Sequence, residues 1–75
     1  MKTLYLTRYF KETDRKLARS EACIVFLDRV LFIDAGHLID GKQCSFVVFS
    51  VGAEDFEGIY VTEDIVEINQ RIEDL

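Results

Sequence analysis

Side chains that could carry out catalysis are few and far apart in this sequence. His37 is the only histidine, and Cys23 and Cys44 form neither a CxxC pair nor a cluster with it. Asp34 lies three positions before His37, and on a regular strand the two would face opposite sides of the sheet. Catalysis requires convergent groups, such as a nucleophile with a base or a set of metal ligands. The sequence therefore predicts no enzyme, no metal site and no cofactor.

The sequence contains no glycine-rich motif of the kind that binds phosphates. The four glycines, at positions 36, 41, 52 and 58, are isolated, as expected for turns, and form neither GxGxxG nor a P-loop. We therefore expect no small-molecule substrate.

Aromatic and basic side chains alternate near the start of the chain. Tyr5, Arg8, Tyr9 and Lys11 lie within seven positions. Single-stranded RNA is held by this combination, because bases stack on aromatic rings and phosphates contact Arg and Lys. The same residues are also compatible with an ordinary edge strand whose charges discourage pairing with other chains.

Charge is distributed unevenly along the chain. Residues 1–21 hold six basic and three acidic side chains, whereas residues 22–75 hold three basic and eleven acidic ones, for a net charge of -5. An acidic protein repels nucleic acid at long range, but a basic segment offsets this locally. The acidic half supports an alternative function, a protein-binding module or phage-type inhibitor that docks on a basic, nucleic-acid-binding partner. Its candidate residues are Glu54, Asp55, Glu57, Glu63, Asp64 and Glu67, which could equally serve solubility.

A chain of 75 residues has room for one domain, spanning positions 1–75. A domain of this size has a marginal core, so we expect self-association to add buried surface. The two cysteines are predicted to be free, buried thiols in a reducing compartment. No apolar leader or membrane-length apolar run is present, which favours a cytoplasmic protein with no membrane contact.

Alternating and β-branched residues predict strands over most of the chain. Residues 2–10 place Leu4, Leu6 and Phe10 on one face and their polar and tyrosine neighbours on the other. Residues 11–21 lack an apolar period and could be loop, strand or helical turn. Residues 22–33 predict one bent strand or two, although a helix over 14–31 is a competing interpretation.

The second half of the chain has clearer boundaries. Asp40-Gly41 between apolar runs predicts a type I′ hairpin turn leading into a strand over 42–51. A short strand over 58–61 follows, and then Thr62 is the predicted N-cap of a C-terminal helix. Its apolar stripe comprises Ile65, Ile68, Ile72 and Leu75. The predicted fold is mostly β (α+β), with four to five short antiparallel strands followed by this helix.

Three segments of the chain resemble the CsrA/RsmA family of bacterial post-transcriptional regulators. The stretch Leu6-Thr7-Arg8, followed by Glu12-Thr13, resembles that family's opening strand, L-T-R-R-x-G-E-T. The stretch 41–43, Gly-Lys-Gln, with the apolar strand that follows it resembles the family's central G-N-Q turn and strand. Residues 61–72, which end in Gln-Arg-Ile, resemble its last strand and helix, which closes on Q-R-I. The three segments cover about half of the chain and occur in the family's order.

The resemblance implies a homodimer with interleaved strands that binds GGA-containing loops in messenger RNA and controls translation. In such a dimer the first strand of one subunit lies beside the last strand of the other. The sequence departs from the family at several positions. Glu63 stands where the family has an RNA-binding arginine, Tyr9 replaces the second arginine of the opening motif, and about a dozen residues are inserted between Thr13 and Gly41. The predicted RNA-binding residues are Leu6, Thr7, Arg8, Tyr9, Lys11, Arg15, Lys16 and Arg19.

Overall fold

Five antiparallel strands and a C-terminal helix make up residues 2–75, the part of the chain that this computed structural model describes. This confirms the predicted mostly β fold. A 3-10 helix at Leu27–Arg29 separates the second and third strands. The elements are β1 Thr3–Phe10, β2 Arg19–Phe26, β3 Val30–Ile39, β4 Lys42–Ser50, β5 Phe56–Val61 and α1 Ile65–Glu73.

The five strands form one sheet in the order β2-β1-β5-β4-β3. Its two edge strands, β2 and β3, are joined by only residues 27–29. A linker this short spans at most about 14 Å from Phe26 to Val30. The edges of a flat five-stranded sheet would lie about 19 Å apart. The sheet is therefore coiled, with an inner face that holds the core and an outer face.

Alternation along β1 places its leucines on the inner face. Leu4 and Leu6 are buried, opposite Val25 and Cys23 of β2. The core is completed by apolar side chains from β4, β5 and the helix, namely Val47, Ile59, Val61 and Ile68. Leu4 and Leu6 alternate with more exposed neighbours along β1 because their side chains are buried in the core of the coiled sheet.

The helix begins two residues later than the sequence predicts. Asp64 is its N-cap and accepts a hydrogen bond from the Glu67 N–H at 2.8 Å. Thr62 is still extended, because its N–H donates to the Thr7 carbonyl at 2.9 Å and continues the pairing of β1 with β5. The predicted cap at Thr62 is wrong for this reason. Of the apolar stripe, Ile68 is fully buried, whereas Ile65 and Leu75 stay exposed.

The hairpin turn between β3 and β4 has the predicted geometry. Asp40 and Gly41 both have positive φ, at 53° and 77°, as a type I′ turn requires. The competing helix over 14–31 is wrong, because β2 occupies 19–26 and pairs with β1 along its whole length.

The pairing of β1 bears on the interleaved homodimer. Arg8 lies opposite Val61 and Tyr9 opposite Tyr60 of the same chain. Within one chain, β5 therefore already lies beside β1, which is the position that the resemblance assigns to a partner's strand. The homodimer remains a prediction. No helix of residues 2–75 is long and apolar enough to cross a membrane.

Candidate nucleic-acid interface

The β1–β2 hairpin carries five of the basic side chains that the sequence singles out. Its strands are in register from Thr3 opposite Phe26 to Phe10 opposite Arg19. In the connection, the Thr13 hydroxyl accepts the Lys16 N–H at 3.1 Å, and the Thr13 N–H donates to the Lys16 carbonyl at 2.9 Å. This turn shapes the loop, whose basic side chains are all exposed: Lys11, Arg15 and Lys16.

Asp40, in the turn between β3 and β4, connects the β3–β4 hairpin to the β1–β2 hairpin. Its Oδ2 accepts the Tyr9 hydroxyl at 3.0 Å and the Glu12 N–H at 2.8 Å. Burial and the hydrogen bond to Asp40 raise the pKa of Tyr9 above its usual value. The basic loop therefore starts from an anchored point at Glu12.

Two guanidinium groups lie over the ring of Phe10. The Cζ of Arg8 is 4.4 Å from the ring centroid and that of Arg19 is 4.0 Å from it. Both distances are within the range of a cation–π contact. Arg19 also pairs with Glu21 at 3.1 Å, whereas Arg8 has no carboxylate within 4 Å in the part of the chain that the structure describes. Two cations are thus held close together on one aromatic ring.

Two of the predicted RNA-binding residues have side chains that belong to the fold, and a third takes part in it through its backbone. Leu6 is a core side chain with 3% exposure, so it is unable to contact a ligand, and this assignment is corrected. Tyr9 is buried, and its hydroxyl is occupied by Asp40. Thr7 donates its N–H to Glu63 at 2.9 Å and accepts from Thr62. The side chains left for a ligand are the half-buried Thr7 hydroxyl and the exposed Arg8, Lys11, Arg15, Lys16 and Arg19.

Glu63 is part of the fold and not of the surface. It retains only 5% exposure, and its Oε1 accepts the Thr7 N–H. Its Oε2 lies 3.0 Å from Nη1 of Arg71, which also donates to the Tyr5 carbonyl at 2.8 Å. The Glu63 carbonyl accepts the Ser45 hydroxyl at 2.8 Å. The carboxylate therefore connects β1 to α1 and is not free to oppose a phosphate.

The predicted acidic face does not exist as one surface. Glu63 is buried, Asp64 caps the helix, and Glu67 pairs with Arg71 at 3.4 Å. The other members, Glu54, Asp55 and Glu57, lie at the opposite end of β5, and a strand of six residues separates the two groups by roughly 20 Å. These three carboxylates are exposed around Phe56, whose ring is also exposed.

An aromatic cluster on the outer face was not predicted. The ring centroid of Phe46 lies 4.8 Å from that of Tyr60 and 5.7 Å from that of His37. Phe46 covers Gly58 so closely that a Cβ there would overlap its ring. Strand register brings Phe46 opposite Tyr60, and only the tertiary pairing of β4 with β5 shows this.

His37 and Asp34 lie on the same side of the sheet, contrary to the expectation from regular alternation. An irregularity in the β3–β4 register falls between them, where Gly36 has φ of 79°. A β-bulge of this kind shifts the side-chain alternation. Nε2 of His37 is therefore 3.9 Å from Oδ2 of Asp34. Within residues 2–75, no three His, Cys, Asp or Glu side chains converge as a metal site would require.

Comparisons of the chain with protein-family models, with curated proteins and with solved structures gave no match. The resemblance to the CsrA/RsmA family therefore rests on its three short sequence motifs alone.

Proposed function

We propose that this protein is a non-enzymatic RNA-binding regulator that contacts phosphates through its β1–β2 hairpin. The observation that carries the proposal is the pair of guanidinium groups of Arg8 and Arg19 over the ring of Phe10. Arginine forms strong, charge-assisted hydrogen bonds with phosphate, and its plane also stacks on aromatic groups. The regulatory role in translation is taken from the family resemblance.

The positive charge of the β1–β2 hairpin supports this proposal, although the protein as a whole is acidic. Residues 8–19 contain five basic and two acidic side chains, in a protein of net charge -5. The guanidinium carbons of Arg8 and Arg19 lie no more than about 8.4 Å apart, because each is so close to the same ring. Glu21 already pairs with Arg19 at 3.1 Å, so Arg8 is the cation of this pair that is available to a phosphate, and a bound polyanion relieves the remaining repulsion between the two guanidinium groups.

The absence of a free carboxylate at position 63 removes an objection to RNA binding. The family places an arginine there, and an exposed glutamate would repel phosphates. In this structure the Glu63 carboxylate is buried and paired with Arg71. Arg71 keeps a partly exposed side chain beside it.

Binding of a fluorescein-labelled GGA hairpin RNA, followed by anisotropy at 50 and 200 mM salt, tests the proposal. Arg8→Ala is expected to weaken binding about tenfold and to reduce the salt dependence, because one phosphate contact is lost. Lys2→Ala removes the same charge outside the hairpin and is expected to change affinity less than twofold.

No binding at micromolar protein would refute the proposal, as would equal losses in Arg8→Ala and Lys2→Ala. A scrambled loop serves as the specificity control. Equal affinity for the GGA and scrambled hairpins would leave phosphate binding intact but contradict the family's sequence preference.

A second candidate function, docking on a basic protein, is favoured by one observation. Phe56 is an exposed aromatic side chain between Asp55 and Glu57 in the β4–β5 region. Exposed aromatic residues within a polar rim are typical of protein interfaces. The carboxylates around it provide charge complementary to a basic partner.

We also propose that the protein forms a homodimer. Strands β2 and β3 are both sheet edges, and exposed edges are sites at which chains pair. Large apolar side chains on these strands, Ile24, Phe32 and Leu38, are exposed. Burying them in a second copy would supply the extra core that a chain of this length lacks.

Native mass spectrometry of the protein purified from cells is expected to give a dimer that carries RNA. The reason is that both the edge strands and the basic hairpin are exposed on the single chain. A strictly monomeric mass at 20 µM protein would contradict the dimer. A stoichiometric basic protein in place of RNA would favour the second candidate function.

A further inference from the structure

A groove of about 560 Å³ opens on the inner face between β2 and the β4–β5 pair. Its lining is mostly apolar and includes Cys23 and Val25 on one side and Phe49 and Ile59 on the other. Val25 and Ile59 form its floor, since they keep 6% and 7% exposure. The volume lies in the range of natural small-molecule sites, about 300–1,000 Å³.

Two cationic side chains also line this groove, Arg8 and Arg29. Both are exposed, and neither has a carboxylate within 4 Å among residues 2–75. Strand register puts them at opposite ends of β2, because Arg8 lies opposite Glu21 of β2 and Arg29 follows the end of β2 at Phe26. Arg8 already lies over the ring of Phe10, so Arg29 is the cation that complements a ligand apolar along its length and anionic at one end.

We propose that this groove binds an amphipathic carboxylate, with the apolar chain against Val25 and Ile59 and the carboxylate at Arg29, just beyond the end of β2. Each methylene buried from water adds about fourfold to affinity, so a chain of medium length gives substantial binding. The buried floor favours a slender chain over the broad surface of another protein, which would rest on the rim. This site extends beyond the proposed RNA function and shares only Arg8 with it.

Cys23 provides a reporter for this site, because its side chain lines the groove. Burial raises the pKa of the Cys23 thiol, so only a small fraction is thiolate at pH 8 and alkylation is slow. A ligand that covers Cys23 is expected to slow this alkylation further. Cys44 is buried and lines a separate cavity of about 240 Å³, so its labelling rate reports on the fold outside this groove. Iodoacetamide labelling followed by peptide mass mapping measures both rates in one sample.

Sodium dodecanoate below its micelle concentration is expected to slow labelling of Cys23 at least fivefold and to leave Cys44 unchanged. Dodecyltrimethylammonium has the same chain length and the opposite charge, and it is expected to give no protection. Arg29→Gln is expected to weaken dodecanoate binding about tenfold, whereas Lys42→Gln, a charge loss outside the groove, leaves it unchanged.

Three results would overturn the proposal. They are no protection by dodecanoate, equal protection by the cationic analogue, and Cys23 protection that rises with protein concentration alone, which would assign the groove to a second copy. Arg29 and Cys23 are not among the proposed RNA contacts, so RNA binding by Arg29→Gln separates failure of this site from failure of the RNA function.

Discussion

Replacing Glu63 with alanine is expected to lower the free energy of unfolding by about 2–4 kcal/mol. The buried carboxylate accepts the Thr7 N–H at 2.9 Å and pairs with Arg71 at 3.0 Å. Its removal leaves the Thr7 N–H without a partner where β1 approaches the β5–α1 connection. Arg71 is partly exposed and recovers some hydration, which keeps the loss below that of a fully buried pair.

Urea unfolding monitored by circular dichroism measures this effect, with two variants for comparison. Glu63→Gln retains an oxygen that can accept the Thr7 N–H and loses only the ion pair, so about 1 kcal/mol is expected. Glu67→Ala removes the other, exposed partner of Arg71 and is expected to cost less than about 0.5 kcal/mol. Similar losses in Glu63→Ala and Glu67→Ala would show that the buried carboxylate is not a structural centre.

The Glu63→Gln variant also bears on RNA binding. Because the carboxylate is paired and shielded, its neutralisation is expected to change RNA affinity by less than twofold. A gain of tenfold would instead mean that Glu63 opposes phosphates directly, as the resemblance to the CsrA/RsmA motifs alone would imply.

Ile68→Ala is expected to destabilise the fold by about 2–5 kcal/mol. Ile68 has 0% exposure and is the one helical side chain that is fully buried in the core. The helix packs against both β1 and β3, so a cavity at this point weakens its contact with the coiled sheet. A domain of 75 residues typically has about 4–11 kcal/mol of stability in total, so this loss is a large share of it.

The matched control is Val66→Ala in the same helix. Val66 is 74% exposed, and its truncation is expected to cost less than about 0.5 kcal/mol. Thermal and urea unfolding of the two variants give the comparison. If Ile68→Ala and Val66→Ala unfolded alike, the helix would not be anchored through Ile68.

Patterns in the sequence predicted those elements that depend on residues close together in the chain. Alternation in Leu4 and Leu6 predicts β1, because every second side chain of a strand faces the same side. Asp40-Gly41 predicts its turn, because only a few residue types tolerate positive φ. The apolar residues of the C-terminal segment predict its helix, because their spacing of three to four residues places them on one helical face.

The helix start shows where such reasoning stops. Thr62 and Asp64 are both good N-caps by residue type. The choice between them is made by the Thr7 carbonyl, which holds the Thr62 N–H and keeps that residue in extended pairing. A long-range hydrogen bond therefore overrides an equal local preference.

The sequence by itself determined the class of fold, the hairpin turn, the basic character of the β1–β2 hairpin and the apolar face of the helix. These follow from periodicity, backbone preference and charge, which act within a few residues. Only the tertiary structure decided that Leu6 and Tyr9 are buried, that Glu63 is buried against Arg71, and that Arg8 and Arg19 lie over Phe10. Those outcomes depend on strand register and on the coiling of the sheet, which bring together residues that are distant in the chain.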